Sequence, residues 1–166
     1  MKNKILPRNE LVELVRAFQE EGKKIVFTNG CFDLLHVGHI RYLEEAKELG
    51  DILIVGINSD SSVKKLKGEG RPVVPELERA EILASLGCVD FVTIFEEDSP
   101  EPLLLLLQPD WHVKGGDYKA SELPEAKTVT SYGGKIKILS YAPDHSTTIL
   151  LQKLGHGNCS DRKQPG

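Results

Sequence analysis

Five short runs of strand-forming residues recur along the chain at intervals too long for hairpins: IVFT from residue 25, DILIVGIN from 51, FVTIF from 91, WHVK from 111 and KIKIL from 135. They are rich in β-branched and aromatic residues, and most are continuously apolar instead of alternating, as strands buried on both faces are. Segments of helical period fill the gaps. Leu11, Leu14, Val15 and Phe18 recur at i, i+3, i+4 and i+7, so residues 9–21 form an amphipathic helix closed by Gly22. Residues 36–49 put Ile40, Leu43, Ala46 and Leu49 on one face, and Gly50 stops them. Helices are also expected over 75–86, 100–107, 124–132 and 146–154. Strand and helix in turn predict an α/β fold, a doubly wound five-stranded parallel sheet with helices on both faces and right-handed crossovers. One domain over 1–154 is expected, followed by a polar tail over 155–166 that lacks periodicity and is expected to be disordered.

That architecture makes a positional prediction: ligands bind at the carboxyl ends of the strands, where strand order reverses. Composition narrows the ligand. Of 166 residues, 40% are hydrophobic and 28% charged, with a net charge of −4, which describes a globular protein and argues against nucleic acid as a partner. Cys31, Cys88 and Cys159 form no CxxC or CxxH pair, so a reducing compartment is expected and structural zinc is not. No signal peptide is evident, and the longest aliphatic run, 103–107, falls far short of the roughly 20 residues that span a bilayer. A cytoplasmic location without a membrane is expected.

The polar motifs do follow strands. TNGCFDLLHVGH follows the first, with His36 and His39 three apart on the opening turn of a helix, so that both rings share a face. Gly38 between them clears a path to the helix amino end, whose N–H groups suit phosphate. The plainer alternative is one capping and one surface histidine. No third ligand or HExxH glutamate supports zinc, so no metal site is assigned. Thr28, Asn29 and Gly30 form an ordinary strand exit that can also hydrogen-bond a ligand. KKLKGEGRPV over 64–74 reads as a mobile cationic loop, either a solvated face or a means for Lys67 or Arg71 to reach phosphate. In KGGDY, Gly115 and Gly116 are a simple loop or a seat for purine or ribose beside Lys114 and Asp117. HSTT opens the last helix, where Ser146 is a natural N-cap and Thr147 and Thr148 add hydroxyls for a second phosphate seat. Cys31 reads as a space-filling residue, and Trp111 as core or interface. Neither GxxxxGK[ST] nor GxGxxG is present.

In this order the motifs resemble the nucleotidyltransferases with the HxGH signature. FTNGCFDLLHVGHIRYLEEAKELGD, INSDSSVKKLKGEGRPVVPELER, VDFVTIFEEDSPE, KGGDY and STT are most similar to the branch that makes ADP-heptose from ATP and D-glycero-β-D-manno-heptose 1-phosphate. LKGxxRPV and VKGGDY distinguish that branch from the glycerol-3-phosphate cytidylyltransferases. The resemblance covers about residues 9 to 154.

It implies a Rossmann-like sheet and adenylyl transfer from ATP, with His36, His39 and Lys67 as catalytic groups and Mg²⁺ held mainly by substrate oxygens and water. Thr28, Asn29, Gly30, Phe32, Gly38, Arg71, Arg79, Lys114, Gly115, Gly116, Asp117, Ser146, Thr147 and Thr148 are implied to border the nucleotide. A homodimer or higher homo-oligomer is expected, as is a separate sugar kinase upstream, since bifunctional members carry a kinase domain that this length does not accommodate. Two departures concern the last helix: Asp144 and His145 replace a frequent Gly-Cys pair, and Ile149 stands where a polar residue is common. The alternatives are a cytidylyltransferase acting on an alcohol phosphate and a nucleotide-binding module without turnover.

Overall fold

The computed structural model describes residues 3–140 and 146–157. In chain order the elements are α1 (Arg8–Glu20), β1 (Ile25–Gly30), α2 (Val37–Lys47), β2 (Ile52–Asn58), α3 (Asp60–Lys67), α4 (Glu76–Ala84), β3 (Phe91–Phe95), α5 (Glu101–Leu107), β4 (Trp111–Gly115), a 3-10 turn at Ala120–Glu122, α6 (Ala126–Ser131), β5 (Lys135–Leu139) and α7 (Thr147–Gly157). All five expected strands form one sheet in the order β3-β2-β1-β4-β5. Every pairing is parallel, with Phe27 opposite Ile54 on one side and opposite His112 on the other.

The alternation of β1 side chains divides the core in two. Val26 joins Leu43, Leu53, Val55, Leu83 and Val92 on one face. Ile25 and Phe27 join Leu11, Val15, Ile54, Leu103 and Val129 on the other. Helices α2 and α4 therefore cover one face, and α1, α5 and α6 the other, because each presents one apolar stripe. Gly56 lets the sheet pack this closely: a Cβ there would lie 2.8 Å from the Phe27 ring. The amino-terminal segment lies against the β3 edge through a parallel bridge between Ile5 and Val92. The β5 edge carries Lys135 and Lys137, side-chain charges of the kind that discourage further pairing.

Two expectations are revised. Residues 64–67, expected as part of a loop over 64–74, lie in helix α3, which is started by the Ser59 hydroxyl, accepting from Ser62 N at 3.2 Å, and ended by Gly68 at φ 91°. The lysines at 64, 65 and 67 sit in its last turn, where they favour the helix dipole. Helix α7 runs to Gly157, beyond the expected end at residue 154. Asp144 and His145 and residues 158–166 lie outside the described residues. Among the described residues, no helix is long and apolar enough to cross a membrane.

The chain leaves β1 toward β2 and β3 in one direction and places β4 and β5 on the opposite side. The reversal therefore falls between β1 and β4, which puts Asn29, Gly30, Lys114 and Gly115 at the switch point.

Candidate active site

Helix α2 begins with a reciprocal cap built from its two histidines. His36 is the N-cap, and its Nδ1 accepts from Gly38 N at 3.1 Å, while His39 Nδ1 accepts from His36 N at 3.4 Å. The rings stack with centroids 3.9 Å apart, and Phe32 packs against His39 at 5.4 Å. Because each Nδ1 accepts, each neutral ring carries its proton on Nε2, so the backbone selects the tautomer. Burial, and then the proximity of His36, lower the His39 pKa to about 4, so its ring is uncharged at neutral pH. The Gly38 amide serves the histidine cap instead of standing open to an anion.

The loop from β1 into α2 is held by two buried charges. Asp33 accepts from Arg71 Nε at 2.6 Å and from Val73 N and Val74 N at 2.9 Å. Burial opposes its ionisation, yet those two amides and the guanidinium outweigh burial and hold the carboxyl below its usual range. Asp33 thereby ties the 68–74 segment to the histidine loop. A folded pKa below the unfolded value stabilises the fold fully above the unfolded pKa and is lost as pH falls through the folded one. Asp33→Asn is expected to lower the thermal midpoint at pH 7 and to diminish the loss of stability that acidification below about pH 4 causes in the parent protein, both read by thermal scans across pH.

Arg79 lies beneath the site, its side chain fully buried. Its Nε donates to Val74 O at 2.9 Å, Nη1 to Cys31 O at 2.6 Å and Asn58 O at 2.9 Å, and Nη2 to Asp60 at 2.8 Å. These four bonds clamp the ends of β1 and β2, the start of α3 and the 68–74 segment together. Arg79 thus supports the site from below through these internal bonds.

The Thr28 side chain is turned inward, which leaves only its backbone at the strand end. It is fully buried, its hydroxyl is 2.7 Å from Tyr42 Oη, and Tyr42 donates to Val113 O at 3.0 Å. With the Tyr42 proton given to Val113, Thr28 is the donor, and the chain pins α2 to β1 and β4. Phe32 is 6% exposed at φ 45°, a left-handed conformation uncommon for a bulky residue, and its ring backs His39 instead of facing a ligand. Arg71 is committed to Asp33.

Other expected residues converge on a cavity of about 550 Å³ at the strand ends, lined in part by Asn29, Gly30, Lys67 and Lys114. Gly115 ends β4, and Gly116 follows at φ 130°, where an added Cβ would come within 2.6 Å of the Tyr118 ring. Asp117 is exposed. At the last helix, Ser146 Oγ accepts from Ile149 N at 3.1 Å, and Thr147 donates its hydroxyl to Leu34 O at 2.9 Å. That bond brings the start of α7 to the loop leading into the histidine pair. Thr148 is exposed.

Residues missed in the sequence include Asp33 and the cavity residues Tyr118 and Glu125. No local motif announces Asp33, whose partner Arg71 is 38 positions on, or Glu125, whose partner His112 is 13 positions back. The carboxylates at the site have partners: Asp33 has Arg71, Glu125 has Lys114 and His112, and Asp98 on the cavity wall has Lys65 at 3.8 Å. Among the described residues, no three metal-binding side chains stand together, so the donor set does not fit a resident metal ion.

The cytidylyltransferase-like family profile matches residues 27–153. The chain belongs to this family. It is 49% identical over 158 residues to the bifunctional protein HldE of Geotalea uraniireducens and 50% identical over 151 residues to that of Geobacter metallireducens. These alignments cover 95% and 91% of this chain but 32% and 31% of the relatives, so the chain spans about a third of their length. Among solved structures, the lipopolysaccharide core biosynthesis protein of Thermoplasma volcanium matches at 31% identity with a TM-score of 0.59, covering 73% of this chain and 98% of that one. The pantoate-beta-alanine ligase of Francisella tularensis, at 18% identity and a TM-score of 0.60, covers 86% of this chain and 69% of its own and shares the fold. A family whose profile spans both the histidine helix and α7 accounts for the meeting of these two helix starts at one sheet edge.

Proposed function

We propose that the protein transfers AMP from ATP to D-glycero-β-D-manno-heptose 1-phosphate, giving ADP-heptose and pyrophosphate. The observation that carries this reading is the stacked imidazole pair, its tautomers set by the backbone, with the start of α7 pinned beside its loop. The similarity to the HldE proteins and to a lipopolysaccharide core biosynthesis protein supports the acceptor class.

In this reaction an acceptor phosphate oxygen attacks the α-phosphorus of ATP, and the bond to the pyrophosphate oxygen breaks. The nucleophile is already an anion, so no strong base is needed. The protein's task is to bring two anions together and to stabilise charge on the leaving oxygen, by positioning and electrostatics. His36 and His39 act as Nε2–H donors to phosphate oxygens, and His39 does so without a charge. Lys67 supplies positive charge from the end of α3. Asn29, Gly30, Gly115, Gly116 and Asp117 border the nucleoside, and Ser146 and Thr148 offer hydroxyls at α7. Mg²⁺ arrives with the triphosphate as part of the substrate.

Pyrophosphate release decides the reading. With each nucleoside triphosphate tested against heptose 1-phosphate and glycerol 3-phosphate, ATP with heptose 1-phosphate should be the fastest pair. Faster release from CTP with glycerol 3-phosphate would assign the chain to the cytidylyl branch instead. ATP binding with no release for any acceptor would make it a nucleotide-binding module.

A further inference from the structure

One cluster in the cavity holds residues, Glu125, Lys114 and His112, that have no part in the chemistry described above. Lys114, Glu125 and Asn29 form part of its wall, and His112 lies directly behind them. On β4, His112 and Lys114 are two apart and so share a face of the sheet; on β1, Phe27 opposite His112 and Asn29 one pair further on occupy the same face. Glu125, just before α6, reaches both: its Oε1 lies 3.1 Å from His112 Nε2 and 3.3 Å from Lys114 Nζ. Lys114 Nζ also donates to Asn29 Oδ1 at 3.4 Å.

The charges can be assigned. His112 is fully buried and stacked on Phe27 at 5.8 Å, and burial lowers its pKa, so it is neutral and donates Nε2–H to Glu125. Burial alone would raise the Glu125 pKa, but the His112 hydrogen bond and the Lys114 charge lower it to about 2. Glu125 is therefore an anion, 5% exposed, and Lys114 is its counter-charge. A buried ion pair contributes little net stability compared with apolar packing. What it does contribute is direction: the ammonium is held between the Glu125 carboxylate and its hydrogen-bond acceptor Asn29 Oδ1.

We propose that Glu125 is a positioning residue that aims Lys114, and that the Glu125–Lys114 pair, next to the Asn29 that borders the nucleoside, is where the acceptor's hydroxyls are read. The proposal rests on the adenylyltransferase reading and adds the residues that recognise the acceptor. Lys114 and Glu125 neutralise each other, so this wall offers closely spaced donors and acceptors without the net positive charge a phosphate demands. That chemistry suits a polyol. Lys67, exposed at another part of the wall, brings positive charge for the phosphate next to it. Tyr118, 58% exposed, adds an aromatic surface for the C–H face of a sugar ring.

The test uses the full chain and the variants Glu125→Gln, Lys114→Met and the double variant. Pyrophosphate release should show the KM for heptose 1-phosphate raised tenfold or more in Glu125→Gln, the KM for ATP within twofold, and the double variant no worse than Lys114→Met alone. A merely structural Glu125 would raise both KM values together, or its effect would multiply with that of Lys114→Met; either result overturns the proposal. Competitive amine labelling read by mass spectrometry measures the aiming without turnover: Lys114 should label severalfold faster in Glu125→Gln than in the parent, and an unchanged rate refutes it. If the parent releases no pyrophosphate but labelling changes as expected, the reaction assignment fails while Glu125 still positions Lys114. In that case isothermal titration with heptose 1-phosphate tests the acceptor site: weaker binding to Glu125→Gln upholds it, and equal binding to both proteins rejects it.

Discussion

Replacing His36 or His39 with alanine should cut turnover by a hundredfold or more while leaving a folded protein. Loss of one preorganised donor to developing charge costs about 2.7 to 4 kcal/mol of barrier, by analogy with oxyanion-hole deletions. The two variants should not be equivalent. His36→Ala removes an N-cap side chain, a change worth about 1 kcal/mol of stability, as well as the donor. His39→Ala leaves the His36 ring on Gly38 N and removes the ring that stacks on it and packs against Phe32. Steady-state kinetics with a thermal scan on each separates the two losses, and near-parent turnover in both would reject the catalytic assignment. In the parent, the His39 ring should titrate by NMR with a midpoint near 4 instead of near 6.5. The sign follows from the depressed pKa: the fold favours neutral His39, so acidification between those values weakens the folded state.

The largest expected effect on stability belongs to Arg79. Arg79→Met keeps much of the volume but strips the carbonyls of Cys31, Asn58 and Val74 of a charged donor and removes the partner of Asp60. Breaking a buried charge network of this kind costs about 3 to 5 kcal/mol, the upper end of single-residue effects. Asp60 is 45% exposed and stays solvated, which favours the lower figure. Denaturant unfolding measures the loss. Because Arg79 joins four segments of the site, ATP affinity should fall even in the folded fraction. A variant with parent-like stability and ATP binding would show that these bonds are replaceable.

What could be read from the sequence follows a physical division. The strands were legible because burial on both faces demands runs such as ILIV, and the histidine helix because Ile40, Leu43 and Ala46 keep its period. Helix α3 was not, since DSSVKKLK presents only Val63 and Leu66 as large apolar residues among charges, and two glycines follow it. Its start was nevertheless encoded by Ser59, a capping hydroxyl. At the site, residues whose chemistry is local were recognised: the two histidines on one turn, and Ser146 as a cap. For Thr28, Arg79 and Arg71, implied by resemblance to border the nucleotide, the motifs do not tell which way a side chain turns. Most of their partners, Tyr42, the carbonyls of Cys31 and Asn58, and Asp33, come from other segments of the chain. Glu125 was invisible for the same reason, as nothing around PEAK announces a counter-charge eleven residues earlier on β4.

The hydrogen bond from Thr147 to Leu34 spans 113 positions. As the chain leaves the ribosome, all five strands are available before the second half of the site exists. A polypeptide ended before α7 would thus carry the paired imidazoles but lack the Thr147 hydroxyl that bonds Leu34 O, so this contact becomes available only after the whole sheet has been made.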